Sequence, residues 1–443
     1  MQFNSIQFLF SFLPFFLMAY FLVPMKLRST VMLLGSLGFY ALSSGGRLWW
    51  AYLLVGITLA AYFAGVLLGK YRKKWLLGLF LGGLAAVLTF FKLYEGGRHL
   101  PAGMSFYLFQ IAAYLIDVYR LKFLPEHNVL TFSSQIVMFP KLLSGPLVNP
   151  QSLRLQEKYC TRSREHIHAG LQLLICGLGL KVLIANRLGS LWAQAAVIGY
   201  ESISPVFAWM SLTAYAMQLY FDFYGYSLMA MGIGKMLGYD LPENFIDPYV
   251  SKTVSEFYRR WHATLGAWFR EYLYIPLGGN RKGSVRTILN LALVWLFTGL
   301  WHGVGSNYLL WAGFLFLLIV NERLWLGSVL KKSSVLCHVY LVFVILLSWV
   351  PFAVGDWNQM VIFLGRLFGQ RGTTLNPRDF LLWGESYFGI LTAGVLFATP
   401  LPRKIAKKLR HTAAADLLLF VLFWAVVHFI STAAQDPFLY FQY

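Results

Sequence analysis

The chain has 443 residues, 58% of them hydrophobic and 18% aromatic, and its 37 Lys and Arg against 18 Asp and Glu leave a formal charge of +19. Only 12% of residues are charged, about half the share in a soluble globular domain, which excludes that class. Nucleic acid is not the expected partner either, because the basic residues stand in short runs between apolar segments, the pattern of the positive-inside bias.

Apolar runs of spanning length recur almost from end to end, so the expected fold is an all-α polytopic membrane protein, a single domain over 1–443 with no linker. The first spans are predicted at 6–24, 31–44, 48–69, 75–91 and 104–119. The second is short for about 30 Å of hydrocarbon and is expected to extend into its flanks or to sit in a thinned region. Lys26 and Arg28 follow the first span, Lys70, Arg72, Lys73 and Lys74 the third, and Arg120 and Lys122 the fifth, which puts the amino terminus outside. No Lys or Arg precedes the run from Ile6 to Pro24, so it is read as a retained helix and not a signal peptide.

The next piece, SSQIVMFPKLLSGPLVNP, is broken by Pro140, Gly145, Pro146 and Pro150 and is predicted to be re-entrant or interfacial, since irregular backbone at membrane depth must be satisfied by protein or a wet cavity. The polar stretch from Gln151 to His168, with Arg154, Lys158, Arg162 and Arg164, fits the cytoplasmic side. Spans at 168–186 and 207–233 follow. The second contains Asp222, a buried carboxylate that needs either an ion-pair partner on another helix or a catalytic cavity. Cys160, Cys176 and Cys337 are too few and too scattered for a disulfide framework or a zinc site, and the last two are expected as buried, inert thiols.

From Ser251 to Arg286 the balance is basic, which again fits the cytoplasmic side. Val254, Tyr258, Trp261, Leu265, Trp268 and Tyr272 are spaced alternately four and three apart and predict one helix with an apolar stripe, lying at the interface. His262 falls on the edge of that stripe, facing a polar pocket or snorkelling to head groups. His302 is harder to read as structural. Counted from Arg286, the run to Trp301 rises roughly 24 Å, and an ionisable side chain that deep is functional by default. Gly299, Gly303 and Gly305 around it permit close helix approach. His166 and His168 are two apart and face different ways on a helix, so no metal is expected.

Two histidines near opposite faces suggest the two ends of one passage, and a neutral imidazole is a natural base for a hydroxyl proton. No serine elbow or phosphate-cradling loop competes; Gly278 to Asn280 lacks the P-loop spacing. Direct attack of a hydroxyl on an activated acyl group is therefore the expected chemistry.

The runs PENF, FYRRWHATLGAWFREYLYIPLGGNRKG and GLWHG resemble the bacterial branch of the membrane-bound O-acyltransferases that acetylates polysaccharides. PAGMSFYLFQIAAYLIDVYR, MFPKLLSGPLV and the ending PFLYFQY support it, so the resemblance covers essentially the whole chain. It implies a ring of roughly ten to twelve tilted helices, with re-entrant or interfacial helices, around a central funnel and tunnel. It also implies catalytic roles for His302 and His262. Trp261, Arg259, Arg260, Arg270, Trp301 and Asp222 are the donor-binding or tunnel-lining candidates. No bound cofactor is implied; the co-substrate is an acyl thioester, acetyl-CoA or an acyl carrier protein. The implied setting is the bacterial cytoplasmic (inner) membrane, with membrane lipid around the chain, an extracytoplasmic acyltransferase partner and a cell-surface polysaccharide or cell-wall polymer as final acceptor. Leu228 after GYS and the WVPFA run at Trp349 to Ala353 depart from the branch, which often has Asp and an arginine there. Three other readings stay open: D-alanyl transfer toward teichoic acid, acylation of a lipid or peptide, and a transporter or flippase, although no internal repeat is visible.

Overall fold

The computed structural model describes residues 1–94, 100–159 and 163–432. Cys160, Arg162 and the PFLYFQY ending lie outside them. Among the described residues every regular element is helical, and the only β contact is an isolated bridge between Phe245 and Trp261. Among the described residues eight helices are long and apolar enough to cross a membrane, and the apolar helices over Phe8–Leu22 and Met104–Tyr119 are shorter. The protein is an all-α, multi-pass membrane protein.

The second span, Arg28–Ser43, extends into its flank by three residues at the start; two other expectations change. The span predicted at 168–186 does not stop there: Arg164–Gly179 runs through a π-helical stretch, Leu180–Ala185, into Asn186–Ile198. The inert thiols divide, with Cys337 buried and Cys176 half-buried.

The described residues group into two compact units. The first contains residues 1–178, 226–243 and 422–432. Its centre is the proline-broken piece: Phe139–Leu142 forms one buried helical turn, and the Phe139 N–H, which no helix satisfies, donates to Ser36 Oγ at 3.0 Å. The Phe139 ring packs against Phe3, Phe8, Phe12, Phe16 and Phe39. Gly145 follows because a Cβ there would meet Lys141 Cα at 2.4 Å and Pro140 O at 2.7 Å. Irregular backbone is thus enclosed in protein, as membrane depth requires.

The second unit contains residues 179–225 and 244–421. Asp222 is 1% exposed and forms an ion pair with Lys181, which the π-helical stretch turns toward it. Helices Gly283–His302 and Ser306–Asn321 return on one another through three residues. They approach closely because Gly299 leaves room: a Cβ there would lie 2.9 Å from Ala312 Cβ and 3.1 Å from Tyr308 O.

Candidate active site

The stripe from Val254 to Tyr272 does not lie on one helix. The chain forms Val254–Arg260, breaks at Trp261 and His262, and resumes as Ala263–Phe269, then Arg270–Tyr274. The break has a cause in the PENF run. Ile246 N–H donates to Arg260 O at 3.0 Å and Ala263 N–H to Asn244 O at 2.9 Å, so these strand-like contacts take the backbone groups that a continuous helix would use. Trp261 is extended, and His262 sits in the left-handed region at φ 48°, a strained position for a residue with a Cβ.

The first short helix is fixed at its start. Thr253 Oγ1 accepts from Glu256 N–H, and the buried Glu322 carboxylate accepts from the Val254 N–H at 2.6 Å and the Ser255 N–H at 3.2 Å. At its end, Arg260 pairs with Glu256 at 2.7 Å. Burial alone would raise the Glu256 carboxyl. The Lys252 N–H and the guanidinium of Arg260 outweigh it and hold the group below its usual range.

With the helix broken, His262 does not reach head groups: it is 5% exposed, with the Phe223 ring edge-on at 4.8 Å. Its tautomer can be read from its neighbours. Asn244 Oδ1 receives the Thr264 hydroxyl at 2.8 Å and faces the Thr264 N–H at 3.4 Å. A backbone N–H can only donate, so the Asn244 atom there is the oxygen. His262 Nδ1, 3.0 Å from the same oxygen, must carry its proton, which leaves the lone pair on Nε2. Burial pushes the His262 pKa down to about 3, so the ring is neutral.

His302 ends the helix Gly283–His302, half-buried, in an aromatic frame: Trp311 lies edge-on at 4.9 Å, Phe352 edge-on at 5.2 Å and Trp301 at 4.5 Å. The two histidines, expected at opposite ends of a passage, line one cavity of about 230 Å³. Trp261 and Arg270 line it too. Arg270 and Gly266 are also exposed, so the cavity reaches the protein exterior beside them. No Asp or Glu is among its lining residues.

Arg259, Arg260, Trp301 and Asp222 are not in the lining. Arg259 is exposed, Arg260 is taken by Glu256, Trp301 is buried, and Asp222 is held by Lys181, the ion-pair alternative. Ala353 is not in the lining either, while its neighbour Phe352 is. Among the described residues no group of three or more His, Cys, Asp and Glu could hold a metal.

Asn244 stood in the PENF run with no role of its own. The available signal was an amide in an apolar context before a bulky aromatic. Tyr258, Thr298 and Tyr274, polar side chains that line the cavity where Asn244 does not, carried none.

Residues 104–345 match the membrane-bound O-acyltransferase family, MBOAT. The "Probable alginate O-acetylase AlgI" of Pseudomonas putida is 32% identical, with all of both chains covered. The protein of the same name from Pseudomonas fluorescens is 34% identical over 83% of this chain and 75% of its own. The "Peptidoglycan O-acetyltransferase" of Helicobacter pylori is 30% identical over 84% of this chain and 81% of its own. The matched region takes in both histidines and every residue lining the cavity but Trp349 and Phe352. The chain belongs to the membrane-bound O-acyltransferase family and is an O-acyltransferase.

Proposed function

We propose that this enzyme moves an acetyl group from a cytoplasmic thioester to a hydroxyl on the far side of the cytoplasmic membrane, for O-acetylation of a cell-surface polysaccharide. The observation that carries this reading is the shared cavity: two histidines in an aromatic lining that includes Arg270 and no carboxylate. A D-alanyl group would bring an ammonium into it without a counter-charge, whereas an acetyl group brings none.

His302 takes the proton of the acceptor hydroxyl as the oxygen attacks the thioester carbonyl, and returns it to the thiolate that leaves. The tautomer of His262 sets its part. A neutral ring with its lone pair on Nε2 does not donate to a carbonyl, so it does not polarise the acyl group; it accepts, and suits an amide N–H of the donor's arm or the acceptor hydroxyl. Arg270 at the exposed edge of the cavity and the exposed Arg259 suit the donor's phosphates or an acidic carrier. The positive-inside pattern supports an amino terminus outside, and an extracytoplasmic partner would receive the acetyl group and pass it to the polymer.

The test replaces His302 by Ala, checks membrane insertion, and measures base-released acetate on surface polymers by mass spectrometry. Acetate should fall by roughly a hundredfold or more. Undiminished acetylation refutes the base assignment, and release of D-alanine in place of acetate refutes the acyl assignment.

A further inference from the structure

Helix Pro400–Leu409 joins two of the apolar helices, Asp379–Phe397 and Ala413–Thr432, with only a few residues on either side. Both neighbours are long and apolar enough to cross a membrane, so the short helix must lie where they leave the hydrocarbon. Its start is capped by Thr399, whose side chain accepts from the Leu401 N–H, with Pro400 at the first position, where its missing N–H costs nothing.

Leu401, Ile405 and Leu409 recur every four positions along one side; Arg403, Lys407 and Arg410 stand opposite and Lys404 and Lys408 on the flank beside Leu401, with no acidic residue in the helix. No residue of the helix is buried, and the three apolar side chains are 51%, 49% and 37% exposed. Arg403 reaches inward to Asp247 at 4.0 Å. Among the described residues Lys404, Lys407 and Lys408 have no carboxylate partner.

We propose that this helix is a docking surface for anionic phospholipid: its apolar side lies in the acyl boundary and its three lysines gather lipid phosphates. Lipid is the occupant because the apolar side is left uncovered by protein at a level the two flanking helices fix, and because the charge opposite it is uniformly basic. The basic residues place it on the cytoplasmic leaflet. Asp247 follows the PENF run within a few residues, so Arg403 ties this surface to the segment that holds His262.

The test uses the full chain, purified from membranes and reconstituted in nanodiscs of phosphatidylcholine with a minor share of phosphatidylglycerol. Lipid retained after delipidation is counted by mass spectrometry. The wild type should retain phosphatidylglycerol well above its bulk share, less so at high salt. K404Q/K407Q/K408Q should cut that enrichment by about tenfold. K331Q/K332Q, at a basic pair between two other apolar helices, should leave it unchanged. Equal enrichment in wild type and the triple variant overturns the proposal. So does a triple variant that keeps its lipid selection but loses binding of an acidic acyl carrier protein, which would make the surface a protein dock. A matching melting temperature shows that the variants are folded.

Discussion

The two Trp-His pairs look alike in sequence and are built by different means. His262 stands at a chain break, nearly fully buried, with a left-handed backbone and an amide that dictates its proton. His302 stands at the end of a regular apolar helix, half-buried, held by the edges of aromatic rings. A ring held by hydrogen bonds has one tautomer and a fixed direction, which suits positioning. A half-buried ring at a cavity wall can meet an entering hydroxyl, which suits a base that must give back what it takes.

The largest effect expected from breaking this pair is the loss of transfer in His302→Ala, and His262→Ala should cost less. If the two losses are equal, the division of roles between them fails. Asp222→Leu comes next. Taking the buried carboxylate away from Lys181 should destabilise by roughly 3–5 kcal/mol, read as loss of folded protein in detergent. The double variant with Lys181→Met should restore folding and transfer together. If folding returns without transfer, Asp222 has a chemical part that its ion pair hides.

Asn244→Ala should lower transfer by about tenfold, because His262 then samples both tautomers and loses its orientation. Asn244→Asp places a carboxylate against Nδ1. It should favour the charged ring and move the pH profile of transfer to the alkaline side, a shift that a purely structural asparagine would not produce.

A stability measurement sharpens the same point. His262 is neutral in the fold with a pKa of about 3, while the unfolded ring titrates near 6.5. Above that value the group adds no pH dependence. As pH falls below it, the unfolded chain takes up a proton that the folded one refuses, so stability drops by up to about 1.4 kcal/mol per pH unit from this group until about pH 3. Melting temperatures between pH 7 and 5 should therefore fall more steeply in wild type than in His262→Gln. The smallest effect is that of Gly299→Ala, whose Cβ would crowd Ala312 at 2.9 Å; a loss of about 1 kcal/mol is expected, with transfer reduced only as far as the helix end moves.

Much of this protein was legible before any coordinates. Long apolar runs with few charges have one stable home, so the class and most helices followed from local composition. The regular helix that ends at His302 was legible for the same reason, since a long apolar run can be counted. What local pattern misread was the segment carrying His262. A four-three spacing there favours one helix, but Asn244 and Ile246, distant along the chain, compete for the same backbone groups and win. Pairing between separated segments leaves no periodic trace. The break at Trp261, the tautomer of His262, the partner of Asp222 and the meeting of two histidines on one cavity were therefore settled only when the chain folded.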